Sequence, residues 1–452
     1  MVQSFQHQFF EFLLKSQYYS AADLRVQQVH QLEQMARYAA ASIPFYKTRL
    51  KSLFRPDGSF DFSRWNEVPI LKRVDLLEHR EEMLAITVPQ GHGPTQDYTG
   101  SGSTGKRVTT RHTALCGQLS NACVFRAWTW HGVDPTRNKF GYHGESVNSA
   151  RGPSGVMTGT WGPSWDLRSS GKRLVLHHVE PTELALRLMI EHDSFYLDGR
   201  PDAVMALAKQ AIHEGKNHKI GAIFAFGAGV TEATRTYCLE AFDAPVVSRY
   251  ASKEAYDIAC QCPAGRHHLN AELSLVEVLD HQDHPCAPGQ MGRLIITPFY
   301  NTAQPLIRYD LGDLVTLGEA CPCGVTLPVL SEINGRTVHV FRLPDGREIA
   351  PRLTAYVRPT IGAMEWQIAQ VGPEAVELRY IKLRDAPKSA FDQLTKAIQT
   401  QLTASTTVTY RHMDRLPETQ SGKILEVVCE LPRQLDSNRV HGVVSAQEQD
   451  TV

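Results

Sequence analysis

The sequence lacks any uninterrupted apolar run of the ~20 residues that a membrane-spanning helix needs. Residues 1–15 lack the basic leader and apolar stretch of a secretory signal. An excess of one charge is also missing, since 47 Lys and Arg face 48 Asp and Glu, a formal net charge of -1. Such a balance provides no electrostatic footprint for nucleic acid or an anionic membrane. We therefore expect a cytoplasmic protein with neither kind of partner.

Cysteine is scarce and unevenly placed. Its nine residues are an odd number, and four of them form two Cys-x-Cys pairs, Cys260/Cys262 and Cys321/Cys323. The other five are scattered singly along the chain. This pattern suits a reduced compartment and a metal site better than a disulfide framework.

The length of 452 residues predicts two or three domains at the usual scale of ~100–200 residues each, and no internal repeat is found. Residues 1 to about 50 read as a helical layer, because apolar residues recur at helical spacing until Pro44 ends the run. Further on, β-rich runs such as Ala222–Phe226 alternate with helical stretches such as Thr231–Phe242. The alternation predicts an α/β fold with at least one largely parallel sheet.

A second domain is indicated by the turn signal Pro344-Asp-Gly346 and the new pattern beyond it, two strands, an amphipathic helix and a third strand. This is the pattern of a small α+β domain. We expect an N-terminal domain over 1–335, a hinge over 336–346, a C-terminal lid domain over 347–433 and a mobile tail over 434–452.

The most specific local signal is the run from Tyr98 to Arg107, in which three glycines alternate with hydroxyl residues before two cations. Glycines let the backbone approach phosphates, hydroxyls and amides donate to phosphate oxygens, and Lys106 supplies charge. It is not a Walker A loop, because no Ser or Thr follows the lysine. Composition alone also fits a flexible surface turn. The predicted phosphate-binding residues are Ser101, Gly102, Ser103, Thr104, Gly105 and Lys106.

This run is the first of five motifs that follow one another in a fixed order. They are Ser101-Gly-Ser-Thr-Gly-Lys106, Tyr250-Ala-Ser-Lys-Glu254, Arg308-Tyr-Asp-Leu-Gly-Asp313, Gly335-Arg336 and Ser421-Gly-Lys423. In this order they resemble the core motifs of the adenylate-forming superfamily, and most closely its phenylacetate-CoA ligase branch with the capsule-biosynthesis relatives. The resemblance covers nearly the whole chain. It implies a large N-terminal α/β domain with mixed or parallel sheets and a small mobile α+β C-terminal domain.

The resemblance also implies a reaction, in which ATP activates a carboxylic acid as an acyl adenylate with release of pyrophosphate. The acid is expected to be aryl or arylacetic, and the acceptor of the acyl group coenzyme A. Two rivals remain open: an adenylating ligase that uses an amine or another nitrogen nucleophile, and a nucleotide-binding scaffold without catalysis. A homodimer is expected by resemblance only.

Residue roles follow from the same resemblance. Glu254 would hold Mg²⁺ through its carboxylate, Tyr250 would lie against adenine, and Asp313 would accept hydrogen bonds from the ribose hydroxyls. Lys423 would reach the ATP phosphate and the substrate carboxylate from the mobile domain. The implied catalytic residues are Lys423, Glu254 and Arg336. The implied nucleotide site adds Gly227, Ala228, Gly229, Ala251, Ser252 and Arg336.

Each of these residues has a simpler interpretation when taken alone. Glu254 would be a solvated helix residue, Asp313 a turn residue and Lys423 an exposed loop lysine. Departures from the family pattern also occur. Val338 stands where an acidic hinge residue is expected, and Lys253 where a small hydroxyl residue precedes the metal-binding glutamate. These departures favour adenylation over CoA transfer as the retained step.

A metal site is predicted by four residues, the thiols of Cys262, Cys321 and Cys323 and the imidazole of His268. Zinc takes such tetrahedral sulfur and nitrogen sets, and four protein ligands indicate a structural site. His267 or Cys260 could substitute for one of them. The alternative is that these are free thiols and loop histidines.

The glycine-rich stretch 141–165 is a candidate wall of the substrate pocket, with Tyr142 and His143 as predicted lining residues. Its Trp161 and Trp165 fit a pocket wall or plain core equally well. Lys253 could pair with Glu254, hold a negatively charged substrate, or point to solvent.

Overall fold

The computed structural model describes residues 4–100, 108–144, 152–166, 170–336, 341–349, 351, 353, 357, 360–382, 385–417 and 425–431. Its contacts divide the chain into two compact units, and the first contains the described residues up to 336. The second contains the described residues from 341 to 417 and from 425 to 431. Across this part of the chain, no helix combines the length and apolar character required to span a membrane.

Four helices open the first unit: α1 (Phe5–Ser16), α2 (Ala21–Ser42), α3 (Tyr46–Arg49) and α4 (Arg73–Glu78). The hydroxyls of Ser4 and Ser20 accept hydrogen bonds from backbone amides of α1 and α2, which satisfies donors that a helix start leaves unpaired. The face of α2 with Leu32, Met35 and Ala39 is buried. The predicted helical segment is thus confirmed.

A two-stranded antiparallel hairpin follows, with β1 (Thr95–Thr99) paired to β2 (Thr109–Thr113). Its register places Thr99 opposite Thr109, so the predicted phosphate-binding run lies between two paired strands. Helix α5 (Ala114–Trp130) begins directly after β2.

The parallel part of the main sheet alternates strands and helices. In chain order the elements are β3 (Lys139–Tyr142), β4 (Val156–Thr160), β5 (Lys172–Leu176), α6 (Thr182–Glu191), β6 (Tyr196–Gly199), α7 (Pro201–His213), β7 (Ala222–Phe226), α8 (Glu232–Phe242) and β8 (Val246–Ser252). Strands β5, β3, β6, β7 and β8 are parallel neighbours in that spatial order, while β4 is antiparallel at the edge. The predicted alternation is confirmed, and the carboxyl ends of these strands share one edge, where α/β folds place ligands.

The remaining strands of the sheet are antiparallel. They are β9 (Tyr256–Gln261), β10 (His267–Leu269), β11 (Ser274–Leu279), β12 (Met291–Pro298), β13 (Tyr309–Leu317) and β14 (Val329–Arg336). All twelve strands form one sheet in the order β11-β12-β13-β14-β10-β9-β8-β7-β6-β3-β5-β4. The sheet is therefore mixed, and the expectation of a largely parallel sheet holds only for its β5 to β8 part.

The main sheet separates two packing layers. On one face, Phe140, Leu197 and Ile223 share a buried cluster with residues of α6, α7 and α8. On the opposite face, Phe224 and Val247 cluster with Trp161, and Trp128 of α5 packs against them. Alternate residues of each strand thus face different layers, which is the period of a β-strand.

The second unit contains β15 (Phe341–Arg342), β16 (Glu348–Ile349), β17 (Ala363–Gly372), β18 (Ala375–Lys382), helix α9 (Lys388–Gln401), β19 (Thr407–His412) and β20 (Val427–Cys429). Four strands form a sheet in the order β19-β18-β17-β20, and α9 buries Leu394 and Ile398 in the same core as Ile368 and Leu378. The predicted α+β pattern of strand, strand, helix and strand is confirmed. The exact domain bounds stay a prediction.

Candidate active site and metal cluster

Two turns meet at the carboxyl edge of the parallel strands. Strand β7 ends at Phe226 and leads into Gly227, whose φ of +80° favours glycine. Neighbouring β8 ends at Ser252 and leads into the turn of Lys253, Glu254 and Ala255. A side chain at Gly229 would meet no atom within 4 Å, so the first turn leaves open space beside its backbone.

Tyr250 and Asp313 form a direct hydrogen bond in this region. The Tyr250 hydroxyl donates to Asp313 Oδ2 over 2.6 Å, and Asp313 is buried. The backbone of Asp313 in β13 is paired with Arg336 in β14. The structure thus brings together three residues that the motifs assign to the nucleotide.

Glu254 is buried, with 7% of its surface exposed, and it lies in a turn rather than on a helix. The Ser252 hydroxyl accepts a hydrogen bond from the backbone amide of Ala255, which tightens the turn. Within the described chain, the Glu254 carboxylate has no hydrogen bond or ion pair. A carboxylate on a largely buried residue, with no cation beside it in the described chain, fits a metal ligand better than a structural side chain.

Strand β2 anchors the turn that carries Glu254. The backbone carbonyl of Lys253 accepts from His112 Nε2 over 2.9 Å and from the Thr110 hydroxyl over 3.1 Å. Burial lowers the pKa of His112 to about 4, so its ring is neutral near pH 7. The sequence motifs include neither His112 nor Thr110. The signal that could have identified them is a pair of polar residues on the buried side of the strand that follows the glycine-rich run.

Backbone strain marks the same turn. Tyr256, the residue where β9 begins, has a φ of 57°, a left-handed conformation that costs a bulky residue roughly 1–3 kcal/mol. Its ring is held by His112, with ring centroids 4.8 Å apart, and by Tyr98 at 5.8 Å. The surroundings therefore fix the position of Glu254 closely.

A small cavity lies beside Glu254. Aromatic, apolar and polar groups from α5, β2 and the segments flanking β11 and β12 surround it. Its lining residues are His112, Cys116, Leu119, Glu254, Ala255, Tyr256, Leu273, Pro298, Tyr300 and Asn301.

Lys253 is exposed, and its Nζ lies 5.8 Å from the centroid of the Tyr98 ring. In the described part of the chain it makes no ion pair with Glu254. Of the three predicted environments, the structure places Lys253 at the surface beside the β1–β2 hairpin.

His143 and Tyr142, the predicted pocket residues, occupy opposite faces of the sheet. Tyr142 lies in the buried cluster of α6 to α8, and its hydroxyl donates to the Glu180 carbonyl over 2.7 Å. That placement makes Tyr142 a core residue, contrary to the expectation of a pocket wall. His143 is buried on the α5 side and accepts from Arg173 Nη2 over 2.7 Å.

A buried charge cluster surrounds His143. Asp198 Oδ2 lies 2.9 Å from Arg173 Nη2 and 3.7 Å from Lys139 Nζ. Burial alone would raise the pKa of Asp198, but the two cations hold it at about 2. Burial lowers the pKa of Lys139 to about 8, against the opposing attraction of Asp198. A Cβ on Gly141 would lie 3.0 Å from Asp198 Oδ1, so the glycine gives the cluster room.

Several predicted residues lie outside the described chain. They are the phosphate-binding residues Ser101, Gly102, Ser103, Thr104, Gly105 and Lys106, the hinge residue Val338 and the lysine Lys423. For Arg336 only the backbone is described. Ala228, Ala251 and Ser252 lie at the carboxyl edge with the turns. The roles of all these residues stay predictions.

The four predicted zinc ligands converge. The side-chain ligand atoms of Cys262, His268, Cys321 and Cys323 all lie within 4.8 Å of one another. Cys262 follows β9, His268 is in β10, and the other two lie in the loop between β13 and β14. Cys260 and His267, the possible substitutes, are not in this cluster.

Hydrogen bonding orients His268 for a metal. Its Nδ1 lies 3.1 Å from the Leu327 carbonyl, which fixes the proton there and leaves Nε2 as an acceptor 3.2 Å from Cys323 Sγ. Metal-binding histidines commonly have such a carbonyl partner. Burial raises the pKa of the Cys262 thiol, and burial and neighbouring thiols raise that of Cys323 to about 12. Three close thiols and an imidazole fit zinc, which binds the deprotonated forms.

Known proteins resemble this chain in sequence. No family model matches the sequence. A phenylacetate-coenzyme A ligase of Thermus thermophilus is 26% identical over 327 residues, 70% of each chain. This chain is a homologue of that ligase. A second relative, protein CapK of Staphylococcus aureus, is 34% identical over 101 residues, 22% of this chain and 21% of that protein.

Solved structures share the fold of this chain. A 2-hydroxyisobutyryl-CoA ligase, crystallised with R3-HIB-AMP in its postadenylation state, matches 91% of both chains with a TM-score of 0.70 and 17% identity. The same ligase in an open conformation with 2-HIB-AMP and CoA gives a TM-score of 0.62 over 89% of this chain and 90% of that one, with 19% identity. The mixed α/β fold of this chain is therefore the fold of that ligase.

Proposed function

We propose that this adenylate-forming enzyme activates an aryl or arylacetic acid with ATP and then transfers the acyl group to coenzyme A. The observation that carries the proposal is Glu254, a buried carboxylate without a partner in the described chain, in a turn next to the nucleotide residues. The name of the Thermus thermophilus relative supports the class of acid and the acceptor.

The first step joins two anions. A carboxylate oxygen of the acid attacks the α-phosphorus of ATP, a new oxygen–phosphorus bond forms, and the bond to the β-phosphate oxygen breaks with its electrons leaving on pyrophosphate. Repulsion between the negative groups opposes this step. Mg²⁺ held by Glu254 would neutralise phosphate charge, with the predicted Lys106 and Lys423 as further cations.

Tyr250 and Asp313 would position the nucleoside. Asp313, whose Oδ2 accepts a hydrogen bond from the Tyr250 hydroxyl over 2.6 Å, would also accept hydrogen bonds from the ribose hydroxyls. The Tyr250 ring would lie against adenine, next to the open Gly227 turn. The hydrogen bond between Tyr250 and Asp313 would thus fix the contact with adenine and the contact with ribose.

The zinc role we propose is structural. Four protein ligands leave no position for a substrate, and the ligands join β9 and β10 to the loop after β13. Zinc there would stabilise the fold rather than take part in the reaction.

One assay separates the candidate functions. Pyrophosphate release is measured against a panel of aryl and arylacetic acids, with and without CoA or amines. Release together with CoA consumption is expected. Release with an amine but no CoA consumption would replace the acceptor, and no release with any acid, alongside ATP binding, would point to a nucleotide-binding scaffold.

A further inference from the structure

Two residues that line the cavity beside Glu254 carry buried acceptor atoms without a hydrogen-bond partner among the described residues. Asn301 is 2% exposed, and its Nδ2 donates to the backbone carbonyls of Arg111 and Gln304 over 3.0 and 2.9 Å. Two carbonyl partners fix the orientation of the amide, because only its nitrogen can donate. Asn301 Oδ1 is buried without a hydrogen-bond partner in the described structure.

His112 presents a second such atom. Its Nε2 is committed to the Lys253 carbonyl, 2.9 Å away, and must carry the ring proton. Nδ1 is then a lone-pair acceptor, and it too is buried without a partner among the described residues. His112, Asn301 and Glu254 line the same cavity.

One bound cation would give a partner to the Glu254 carboxylate, Asn301 Oδ1 and His112 Nδ1 together. A buried acceptor that is left without a partner destabilises the fold, so Asn301 Oδ1 and His112 Nδ1 favour a bound group that can accept their lone pairs. The lining residues of the cavity include no Lys or Arg. We propose that Glu254, Asn301 and His112 together bind one divalent cation, with Asn301 and His112 as ligands that the sequence motif lacks.

This proposal deepens the proposed function, since the cation at Glu254 is the one expected to accompany ATP. Mn²⁺ is a suitable probe, because it takes the oxygen ligands that Mg²⁺ takes, binds nitrogen more readily and is paramagnetic. Full-length protein with ¹⁵N-labelled histidine is loaded with Mn²⁺ and ATP. Electron spin echo modulation then reports any histidine nitrogen bound to the metal.

The His112→Gln variant separates ligation from positioning. The glutamine amide can still donate to the Lys253 carbonyl, but it offers no acceptor at the place of Nδ1. We expect a ¹⁵N modulation in the wild type that disappears in H112Q, with Mn²⁺ affinity about 10-fold weaker or more. His218→Gln is the matched control, since His218 Nε2 also bonds a backbone carbonyl, that of Ser194 at 2.7 Å, outside the cavity.

Asn301 is tested by a pair of variants. Asn301→Leu removes the oxygen and should weaken Mn²⁺ binding by about 10-fold or more, whereas Asn301→Asp keeps an oxygen there and should bind at least as tightly as the wild type. If Asn301→Leu does not fold, H112Q and Asn301→Asp decide the question.

The proposal is overturned if the wild type shows no ¹⁵N modulation and H112Q binds Mn²⁺ like the wild type. Failure of the proposed function would look different: Mn²⁺ binding would keep its dependence on His112 and Asn301, while no acid supported pyrophosphate release.

Discussion

The Tyr250 hydroxyl bonds Asp313 across a sheet in which three strands, β9, β10 and β14, lie between theirs. In a flat sheet, four strand spacings of ~4.8 Å would separate the two strands by roughly 19 Å. A tyrosine side chain cannot cover that distance. The sheet must therefore curl, and its curvature brings two residues distant in sequence within hydrogen-bonding distance.

Removing that hydroxyl tests the pair. Tyr250→Phe keeps the ring and loses about 1 kcal/mol of hydrogen bonding, so KM for ATP should rise about 5-fold with kcat little changed. Steady-state pyrophosphate release measures both constants. Tyr196→Phe, whose hydroxyl accepts from the backbone amide of Asp134, is the control. An unchanged KM in Tyr250→Phe would remove the pair from ATP binding.

Glu254 is tested by an isosteric change. Glu254→Gln keeps size and burial but loses the charge, so kcat/KM for adenylation should fall about 100-fold or more. Thermal unfolding should change little, because the carboxylate has no partner in the described chain. Glu232→Gln at the start of α8 controls for the loss of one negative charge. Full activity in Glu254→Gln would exclude the metal-binding role.

Lys423 is predicted from its motif to deliver a cation to the reacting phosphate. Lys423→Ala should lose adenylation by about 100-fold or more, with ATP binding and folding intact. Pyrophosphate release measures adenylation, and a thermal melt measures folding. A rate equal to that of the wild type would remove Lys423 from the mechanism.

Metal analysis tests the cysteine and histidine cluster. The purified protein should hold close to one equivalent of zinc, and a content below about half an equivalent would contradict a zinc site at this cluster. Cys323→Ser should lose the metal and lower the melting temperature. Cys429→Ser, which changes a cysteine of the second unit, should keep the metal and the melting temperature of the wild type.

Acid should expose the contribution of Asp198 to stability. Its folded pKa of about 2 lies below its ordinary value of 3.8, so the stabilisation is complete above about pH 4 and is lost as the pH falls toward 2. Asp198→Asn leaves Lys139 and Arg173 without their carboxylate and should cost about 3 kcal/mol at pH 7. The difference in melting temperature between the variant and the wild type should become smaller only below pH 4. A difference in melting temperature that already becomes smaller at pH 6 would contradict the role of Asp198.

The elements of the fold were predictable where the pattern is local. The strand 222–226 and the helix after it follow from periodicity and turn signals, and two Cys-x-Cys pairs with a histidine already indicate a metal. The positions of His112 and Asn301 were not predictable in this way. The role proposed for them depends on which of their atoms stay without a hydrogen-bond partner. That is decided only when β2, the segment after β12 and the Glu254 turn pack together.

Tyr142 and His143 show a second limit. Both belong to one glycine-rich stretch, and composition does not tell the two faces of a strand apart until its neighbours are known. The sheet puts Tyr142 among the helices α6 to α8 and His143 beside Asp198. Adjacent residues thus have unrelated surroundings.

The predicted zinc ligands and the predicted nucleotide residues are carried by the same strands. β9 runs from the Glu254 turn to just before Cys262, and the chain continues from Asp313 in β13 to Cys321. Joining the ends of these strands limits how far they can slide past each other. Oxidation of the three thiols would therefore loosen the register that aligns Tyr250 with Asp313, and under the proposed function it would weaken ATP binding from a distance.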